Sequence, residues 1–470
     1  MSIGNSPQRY ERRITPIERL FTRSPFSIVT MVVRIRGHVT EAMLRDALAK
    51  VNRRHPNLRV RIVEDDTCNP WFTSEGVESI PVEVAPRESD DQWIEVLEKT
   101  SQVPFEFDER PPIRFILLAS PDKADLVIVS HHIICDGLSL AYLARDLMVH
   151  LGDPSRELDV LPDPVLVDRD TIPGELALNP VVKAVLRRIN KKWYQERVIF
   201  DQEDYRELTA AYWRDFQHST LPVELTEAQT SDLVARCRAE SVTVNTALTA
   251  AFVEAQILVQ GMKPFHSSIG IGVSLRDRLR GPAGEAMGFY AGVLTLKYNH
   301  FRKSSFWENA RRLHRRIKPL LRRQGMLKDP LTWCHLDPTI LEAMNFKKLG
   351  GLVSPDATRH KKLTSFAKRE DVVQGMLKRG RMDSLDRIFM GTAVTNLTRL
   401  DFPRQYGELE LDRLILQPGG AFPLSQVGLV VGAVTCSGKL SLVLEYAEEA
   451  AGASTMRRVS EKALELLEVV

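Results

Sequence analysis

Strand-like and helix-like hydrophobic patterns alternate along most of this 470-residue chain. The stretch 26–35 is rich in β-branched residues, and Thr40 after it can cap a helix whose apolar residues recur at helical spacing. In the second half, Thr226 starts one helix, the stretch 243–259 has the pattern of another, and 268–273 that of a strand. Such alternation predicts an α/β fold. Because both halves show the same kinds of elements, we expect two similar domains that face each other.

The domain boundary is expected near residue 200. The stretch 152–201 has five prolines among charged residues and is interpreted as a crossover or linker. The predicted domains are therefore residues 1–200 and 201–470.

A strongly basic segment, about 302–387, is expected as an insertion in the second domain. Its first part, 302–323, has nine Lys or Arg residues and a single acid, Glu308. Two interpretations remain open. The segment is either a solvated face or a docking surface for something acidic, such as a carrier protein or the phosphates of coenzyme A.

Composition excludes several classes of protein. The formal net charge is +3, from 64 basic and 61 acidic residues, which gives no global argument for nucleic-acid binding. The five cysteines never form a CxxC pair, so we expect neither a structural zinc site nor a disulfide framework, and we infer a reducing compartment. The N-terminal residues are polar, and no apolar run approaches the ~20 residues of a membrane helix. We therefore expect a soluble, cytoplasmic protein without a transmembrane segment.

The segment 125–137 carries the strongest chemical signal. An apolar strand ends at two adjacent histidines, His131 and His132, where a turn and then a helix follow. Ligand and catalytic groups of α/β proteins commonly lie at such strand ends. Since side chains alternate along a strand, one histidine can be structural while the other faces a cleft. Asp136 is placed to cap the following helix, and Gly137 permits a tight turn.

These residues spell HHxxxDG, and the sequence resembles the condensation-domain superfamily of thioester-dependent acyltransferases. That group includes nonribosomal peptide condensation domains, polyketide-associated acyltransferases, wax-ester synthases and plant BAHD acyltransferases. Four further stretches resemble family motifs in the same order: 53–59 (RRHPNLR), 104–114, 274–292 and 394–403. The DFGWG motif of the plant branch is absent, which disfavours that branch.

The resemblance implies a fold and a mechanism. It implies two chloramphenicol-acetyltransferase-like domains, each a mixed sheet with flanking helices, and an active site in a tunnel between them. It implies that His132 is the general base, that both substrates bind together, and that the acyl group moves directly, without an acyl-enzyme. Histidine suits this role because its ordinary pKa of ~6.5 leaves it mostly neutral near pH 7.

The resemblance also implies structural roles around the histidine. Asp136 is expected to form a buried ion pair with Arg276 of the second half that fixes the loop, and His131 and Gly137 are expected to have structural roles at the active site. Candidate substrate or tunnel residues are Cys135, Tyr290, Thr395 and Asn396.

The predicted function is transfer of an acyl group from a thioester, on coenzyme A or an acyl-carrier protein, to an alcohol or amine. Two alternatives remain open: an amide-forming condensation enzyme of the nonribosomal peptide type, and a non-catalytic recruitment module. A Cys135 thiolate beside a histidine would allow covalent catalysis, but packing of a small residue is the favoured interpretation. No HExxH or phosphate-binding glycine loop occurs, so neither a metal nor a bound cofactor is expected. The expected partners are the donor, the acceptor and an acyl or peptidyl carrier protein, without nucleic acid.

Overall fold

The computed structural model describes residues 10–66, 69–322, 324–421 and 425–469. Two residues used in the sequence analysis lie outside the described residues: Cys68, one of the five cysteines, and Arg323, in the basic segment.

The strands in the described residues are β1 (Glu11–Arg13), β2 (Ile28–Arg36), β3 (Arg61–Glu64), β4 (Pro70–Thr73), β5 (Val82–Pro86), β6 (Ile113–Ala119), β7 (Lys123–His131), β8 (His218–Glu224), β9 (Ser268–Ser274), β10 (Ala291–Lys297), β11 (Met390–Leu400), β12 (Gln405–Tyr406), β13 (Leu409–Gln417), β14 (Val427–Cys436) and β15 (Lys439–Ala447). The α-helices there are α1 (Pro16–Arg19), α2 (Glu41–Arg54), α3 (Gln92–Ser101), α4 (Gly137–Gly152), α5 (Pro180–Glu196), α6 (Gln202–Asp215), α7 (Glu227–Ala239), α8 (Val244–Gln260), α9 (Phe306–Arg322), α10 (Lys328–Trp333), α11 (Pro338–Leu349), α12 (His360–Lys368), α13 (Val372–Gly380) and α14 (Ala453–Leu467).

Two six-stranded sheets dominate the fold. The first has the strand order β12-β13-β2-β7-β6-β5, and the second has the order β10-β9-β11-β14-β15-β8. Both sheets are mixed, since β5 runs parallel to β6, and β11 runs parallel to β9 and β14. A small third sheet has the order β1-β4-β3. The expected α/β class, with mixed sheets and flanking helices, is confirmed.

One segment of the predicted second domain lies in the first sheet. Strand β13 pairs antiparallel with β2, from Glu410 opposite Arg36 to Gln417 opposite Thr30. The chain then returns to the second sheet as β14. We call each six-stranded sheet with its flanking helices a lobe. The boundary at residue 200 stays a prediction, but β13 crosses from the second half of the chain into the first lobe. The two lobes are therefore not two separate stretches of sequence.

The helix starts follow the capping residues identified in the sequence. The side chains of Thr40, Thr226 and Thr243 accept the backbone N–H groups of Met43, Gln229 and Thr246, respectively.

The stretch 152–201 differs from the expected linker, because it contains the 17-residue helix α5. Pro180 occupies the first turn of that helix, where its missing N–H has no intrahelical partner to lose. Asn179 caps the helix by accepting the N–H of Val181 at 2.8 Å. The proline therefore starts a helix here.

The basic segment 302–387 is only partly a solvated face. Helices α11, α12 and α13 pack with α5 and α6 around a shared apolar core that includes Trp193, Phe200 and Phe346. Lys347 is buried there, and its ammonium group donates to Asp371 at 2.8 Å and to the carbonyl oxygen of Phe366 at 2.5 Å.

No single helix among the described residues is both long and apolar enough to cross a membrane. The bent pair α7 and α8 passes such a test only when the two helices are taken together.

Candidate active site

His132 lies at the end of β7, between the two lobes. Its backbone N–H donates to the carbonyl oxygen of Ser27 at 2.9 Å, which continues the pairing of β7 with β2. Its half-buried ring has Nδ1 3.2 Å from the carbonyl oxygen of Cys135 and Nε2 3.4 Å from that of Pro418. A neutral imidazole has one N–H. In the tautomer with the N–H on Nδ1, the nitrogen that has the shorter contact, the lone pair lies on Nε2.

Two aromatic rings flank the His132 side chain. The Phe289 ring meets it edge-on at a centroid separation of 5.3 Å, and the Phe21 ring lies 5.4 Å away. These two phenylalanine rings also contact each other at 4.4 Å. Phe21 comes from the N-terminal segment and Phe289 from the second half, so both parts of the chain enclose the histidine.

The surroundings of His132 favour its neutral form. Burial lowers the pKa of His132, although its contacts with the Cys135 and Pro418 carbonyl oxygens and the charge of Asp136 oppose that shift. In the tautomer protonated on Nδ1, Nε2 has the lone pair that a general base needs.

His131 points the other way and is fully buried. Its Nδ1 accepts the N–H of Ile133 at 3.3 Å, so Nε2 carries the proton that it donates to the Ser24 carbonyl oxygen at 3.1 Å. Phe105 and Phe107 meet the ring edge-on. Burial lowers the pKa of His131 to about 3. The ring is therefore neutral and both its nitrogens are occupied, which fits the structural role expected for it.

The ion pair expected between Asp136 and Arg276 is present. The Nη2 group of Arg276 donates to Asp136 Oδ1 at 2.9 Å, and both side chains are more than nine-tenths buried. Asp136 also caps α4 by accepting the N–H of Ser139 at 2.8 Å, and its Oδ2 accepts the N–H of Tyr290 at 3.1 Å. One carboxylate thus joins the turn after His132 to the second half.

Arg276 completes this connection. Its Nη1 donates to the carbonyl oxygens of Gly284 and Ala286, each at 2.9 Å, and its guanidinium lies 4.4 Å over the Tyr290 ring. Because these acceptors lie on the loop before β10, the arginine fixes the loop that carries Phe289. We infer that the pair supports the site and does not itself react.

Gly137 lies against two leucine side chains. A Cβ atom on Gly137 would lie 3.2 Å from side-chain carbons of Leu397 and Leu416, so even alanine would require those leucines to shift. Thr395 and Asn396 precede Leu397 on β11 and are half-buried. Contact of Thr395 and Asn396 with substrate stays a prediction.

Cys135 and Tyr290 do not have the tunnel positions expected for them. Cys135 is fully buried in the core, and its thiol donates to the Ser130 hydroxyl at 3.1 Å. Burial raises the pKa of the Cys135 thiol far above its usual range, so the thiolate needed for covalent catalysis is disfavoured. The Tyr290 ring is also buried, because it packs beneath the Arg276 guanidinium.

Sequence reasoning did not identify every residue at the site. Pro418 supplies the carbonyl oxygen near His132 Nε2, and the glycines that follow it have positive φ angles of 71° and 88°. A Cβ atom on Gly419 would overlap the carbonyl oxygen of Ile28. The sequence Pro-Gly-Gly directly after an apolar strand was the available signal for a tight turn.

The N-terminal segment is held by a second buried ion-pair cluster. Arg19 and Arg23, on either side of Phe21, both pair with Glu342 of α11, and Glu342 is only 2% exposed. Burial raises the pKa of Glu342, but the two guanidinium groups outweigh it and hold that pKa below its usual range. Glu342 thereby fixes the segment that places Phe21 against His132.

Comparison with protein families decides the identification. The Condensation domain model matches residues 9–152, which contain the HHxxxDG motif. A second model, the C-terminus of phthiocerol/phthiodiolone dimycocerosyl transferase, matches residues 216–397, which contain Arg276 and Tyr290. The two ranges take in more than two thirds of the chain. The chain belongs to the condensation-domain superfamily.

Curated relatives of this superfamily member include much longer peptide synthetases. Cyclosporin synthetase from Tolypocladium inflatum is 28% identical over 265 residues, which are 53% of this chain. A nonribosomal peptide synthetase from Curvularia clavata is 24% identical over 315 residues, or 64% of this chain. The chain spans only 2% of the length of each of these two relatives.

Among solved structures, trichothecene 15-O-acetyltransferase from Fusarium sporotrichioides superimposes with a TM-score of 0.64 at 13% identity. The match covers 100% of this chain and 96% of that chain. This likeness confirms the expected two-lobed fold of the superfamily. The tunnel between the lobes stays a prediction.

Proposed function

We propose that this chain is an acyltransferase that moves an acyl group from a thioester to a hydroxyl or amine acceptor. The donor is an acyl group on coenzyme A or on a carrier protein, and it is a substrate and not a bound cofactor. Both substrates meet at His132, and the acyl group passes directly between them.

In the proposed step, His132 Nε2 takes the proton of the acceptor as the acceptor's oxygen or nitrogen bonds to the thioester carbon. The tetrahedral intermediate then collapses, the carbon–sulfur bond breaks, and the leaving thiolate takes the proton from His132 Nε2, which restores the neutral imidazole. The products are an ester or amide and a free thiol. No metal or redox step is needed for this balance.

The observation that carries the proposal is the hydrogen bonding of the His132 ring. Its Nδ1 lies 3.2 Å from the Cys135 carbonyl oxygen, and in the tautomer that donates there Nε2 has the lone pair that accepts a proton. The neighbouring Cys135 is buried, and burial raises the pKa of its thiol, which disfavours the thiolate. Direct base catalysis by His132 is therefore favoured over an acyl-enzyme.

A second candidate is amide formation between two carrier-bound substrates. It is supported by the curated relatives, several of which are nonribosomal peptide synthetases. A non-catalytic recruitment module is a third candidate, and the intact His132 and Gly137 argue against it.

The test is a matrix of donors and acceptors. Acyl-coenzyme A and acyl-carrier donors of increasing chain length are each incubated with alcohols, with free amines and with aminoacyl-carrier proteins. Thiol release and mass spectrometry of the products are measured. The proposal expects thiol release that depends on an added free alcohol or amine. Product only with aminoacyl-carrier acceptors would favour the condensation alternative, and no product with any pair would favour the recruitment module.

A further inference from the structure

A cavity of about 350 Å³ lies between the two lobes on the side of β2, β13 and β15. Its apolar walls include the aromatic side chains of Phe26, Trp213 and Phe216. Aromatic faces attract organic cations as well as apolar groups.

The charged residues that line this cavity are mainly acidic. Glu98, Asp215, Glu445 and Glu449 lie in its wall, together with one arginine, Arg214. Arg214 is already bound by the neighbouring Asp215, at 2.6 Å. Among the described lining residues, the carboxylates thus exceed the cations, and the wall favours a positively charged guest.

Two buried acceptor atoms on the wall have no protein partner. Glu445 is 4% exposed and Gln417 is 8% exposed, and neither Glu445 Oε2 nor Gln417 Oε1 accepts a hydrogen bond from a described residue. A buried carboxylate or amide oxygen without a donor is unfavourable. Both residues border the cavity, but the two oxygens themselves are closed to solvent, so a donor bound there reaches them only when the side chains turn towards it.

The other oxygen of Glu445, Oε1, faces a histidine. The Tyr212 hydroxyl lies 2.6 Å from His218 Nε2, and His218 Nδ1 lies 3.6 Å from Glu445 Oε1. Burial raises the pKa of Tyr212, so the phenol keeps its proton. Oε1 thus has a neighbour within the protein, whereas Oε2 has no hydrogen-bond partner among the described residues.

The cavity borders the candidate active site. Ile28, in its wall, is paired with His131, and Gln417 directly precedes Pro418, whose carbonyl oxygen lies near His132 Nε2. The cavity wall and the candidate active site therefore share strand β2 and the end of β13.

We propose that this cavity binds the acceptor through a primary ammonium group, which donates to Glu445 and Gln417. This proposal rests on the proposed function and names the acceptor class as an amine-bearing molecule. An ammonium nitrogen has no lone pair, so the group held by Glu445 is an anchor. The nucleophile is a separate hydroxyl or amino group of the same acceptor.

The experiment measures binding without any acyl donor. The full chain is titrated at pH 7 with hexylamine, which is then an ammonium ion, and with 1-hexanol, a neutral molecule with the same chain length. Tryptophan fluorescence reports occupancy, and Trp213→Phe identifies the signal from the cavity. Since hydrogen bonds to charged groups are the stronger ones, we expect hexylamine to bind at least about tenfold more tightly than 1-hexanol.

Glu445→Gln tests the anchor, and Glu448→Gln is its matched control. Glu448 is an exposed acid three residues along the chain that does not line the cavity. We expect Glu445→Gln to remove the preference for hexylamine and Glu448→Gln to keep it. If Glu445→Gln does not fold, the comparison of the two probes on the unmodified chain still decides. Equal binding of both probes, no saturable binding, or equal losses in both variants would overturn the proposal. Failure of acyl transfer in the donor matrix would leave this binding result unaffected, so the two proposals fail separately.

Discussion

At the scale of residues, His131 and His132 are adjacent and have opposite surroundings. His131 has both ring nitrogens bound inside the first lobe, whereas His132 has Nδ1 near the Cys135 carbonyl oxygen and Nε2 3.4 Å from that of Pro418. The backbone geometry of a strand end thus gives two adjacent imidazoles different surroundings, and we propose that His132 is the one that reacts.

Burial of neutral His131 predicts a dependence of stability on pH. Its pKa is about 3 when folded and ~6.5 when unfolded, so below pH 6.5 the unfolded chain binds the extra proton. Stability therefore falls as the pH falls from 6.5 towards 3, by up to about 1.4 kcal/mol per pH unit from this residue. Denaturant unfolding between pH 7 and 4.5 should show a steeper loss in the unmodified chain than in His131→Asn. Parallel pH profiles would contradict the assignment.

The Asp136–Arg276 pair predicts a loss of stability when either partner is removed. Each Ala substitution leaves an unpaired buried charge, and we expect it to cost about 3–5 kcal/mol. The double variant should lose less free energy of unfolding than the sum of the two single variants, because it leaves neither charge buried without its partner. Asp401→Ala, at the exposed Arg399–Asp401 pair, is the control and should change little. Strictly additive losses in thermal or denaturant unfolding would count against a coupled pair.

At the scale of elements, the segment from α1 to β2 packs against both histidines of the site, and we call it the covering segment. Phe21 contacts His132, Ser24 accepts from His131, and Ser27 accepts from the His132 backbone. The ion pairs of Arg19 and Arg23 with Glu342 of α11 connect the covering segment to the helices of the basic segment.

We therefore expect Glu342→Gln to increase the mobility of the covering segment. The variant keeps the shape of the side chain but loses the charge that holds Arg19 and Arg23. Hydrogen exchange of the amides in 19–27 should quicken, and acyl transfer should fall several-fold. Glu370→Gln, which alters an exposed ion pair with Lys378, is the control and should leave both unchanged. Unaltered exchange in 19–27 would show that other contacts fix the segment.

Local elements of the site could be predicted from the sequence, and its long-range contacts could not. The apolar run before His131 and the cap at Asp136 are local patterns, and the structure has β7 and α4 there. The contacts of His132 with Phe21 and Pro418 join positions more than a hundred residues apart, and no local period encodes them. The Asp136–Arg276 pair was expected only through the family resemblance.

At the scale of the whole molecule, strand β13 joins the two lobes, because it comes from the second half of the chain and pairs in the first sheet. Because β13 covers the edge of β2 in the first sheet, a fragment that ends at residue 200 would expose the β2 edge and its apolar residues. We expect the isolated fragment 10–200 to lack a cooperative unfolding transition. Fusing residues 405–417 to it should improve its solubility. A cooperative, soluble fragment without that strand would show that the first lobe folds independently.

The central claim is that His132 is the general base of a direct acyl transfer. The most direct test compares His132→Ala with Cys135→Ala, using the best donor and acceptor from the matrix and measuring kcat/KM by thiol release. The account predicts that His132→Ala lowers kcat/KM by about 10²–10⁴-fold while the melting temperature is retained. Cys135→Ala should stay within a few-fold of the unmodified chain. Near-normal turnover in His132→Ala, or abolished turnover in a folded Cys135→Ala, would contradict it.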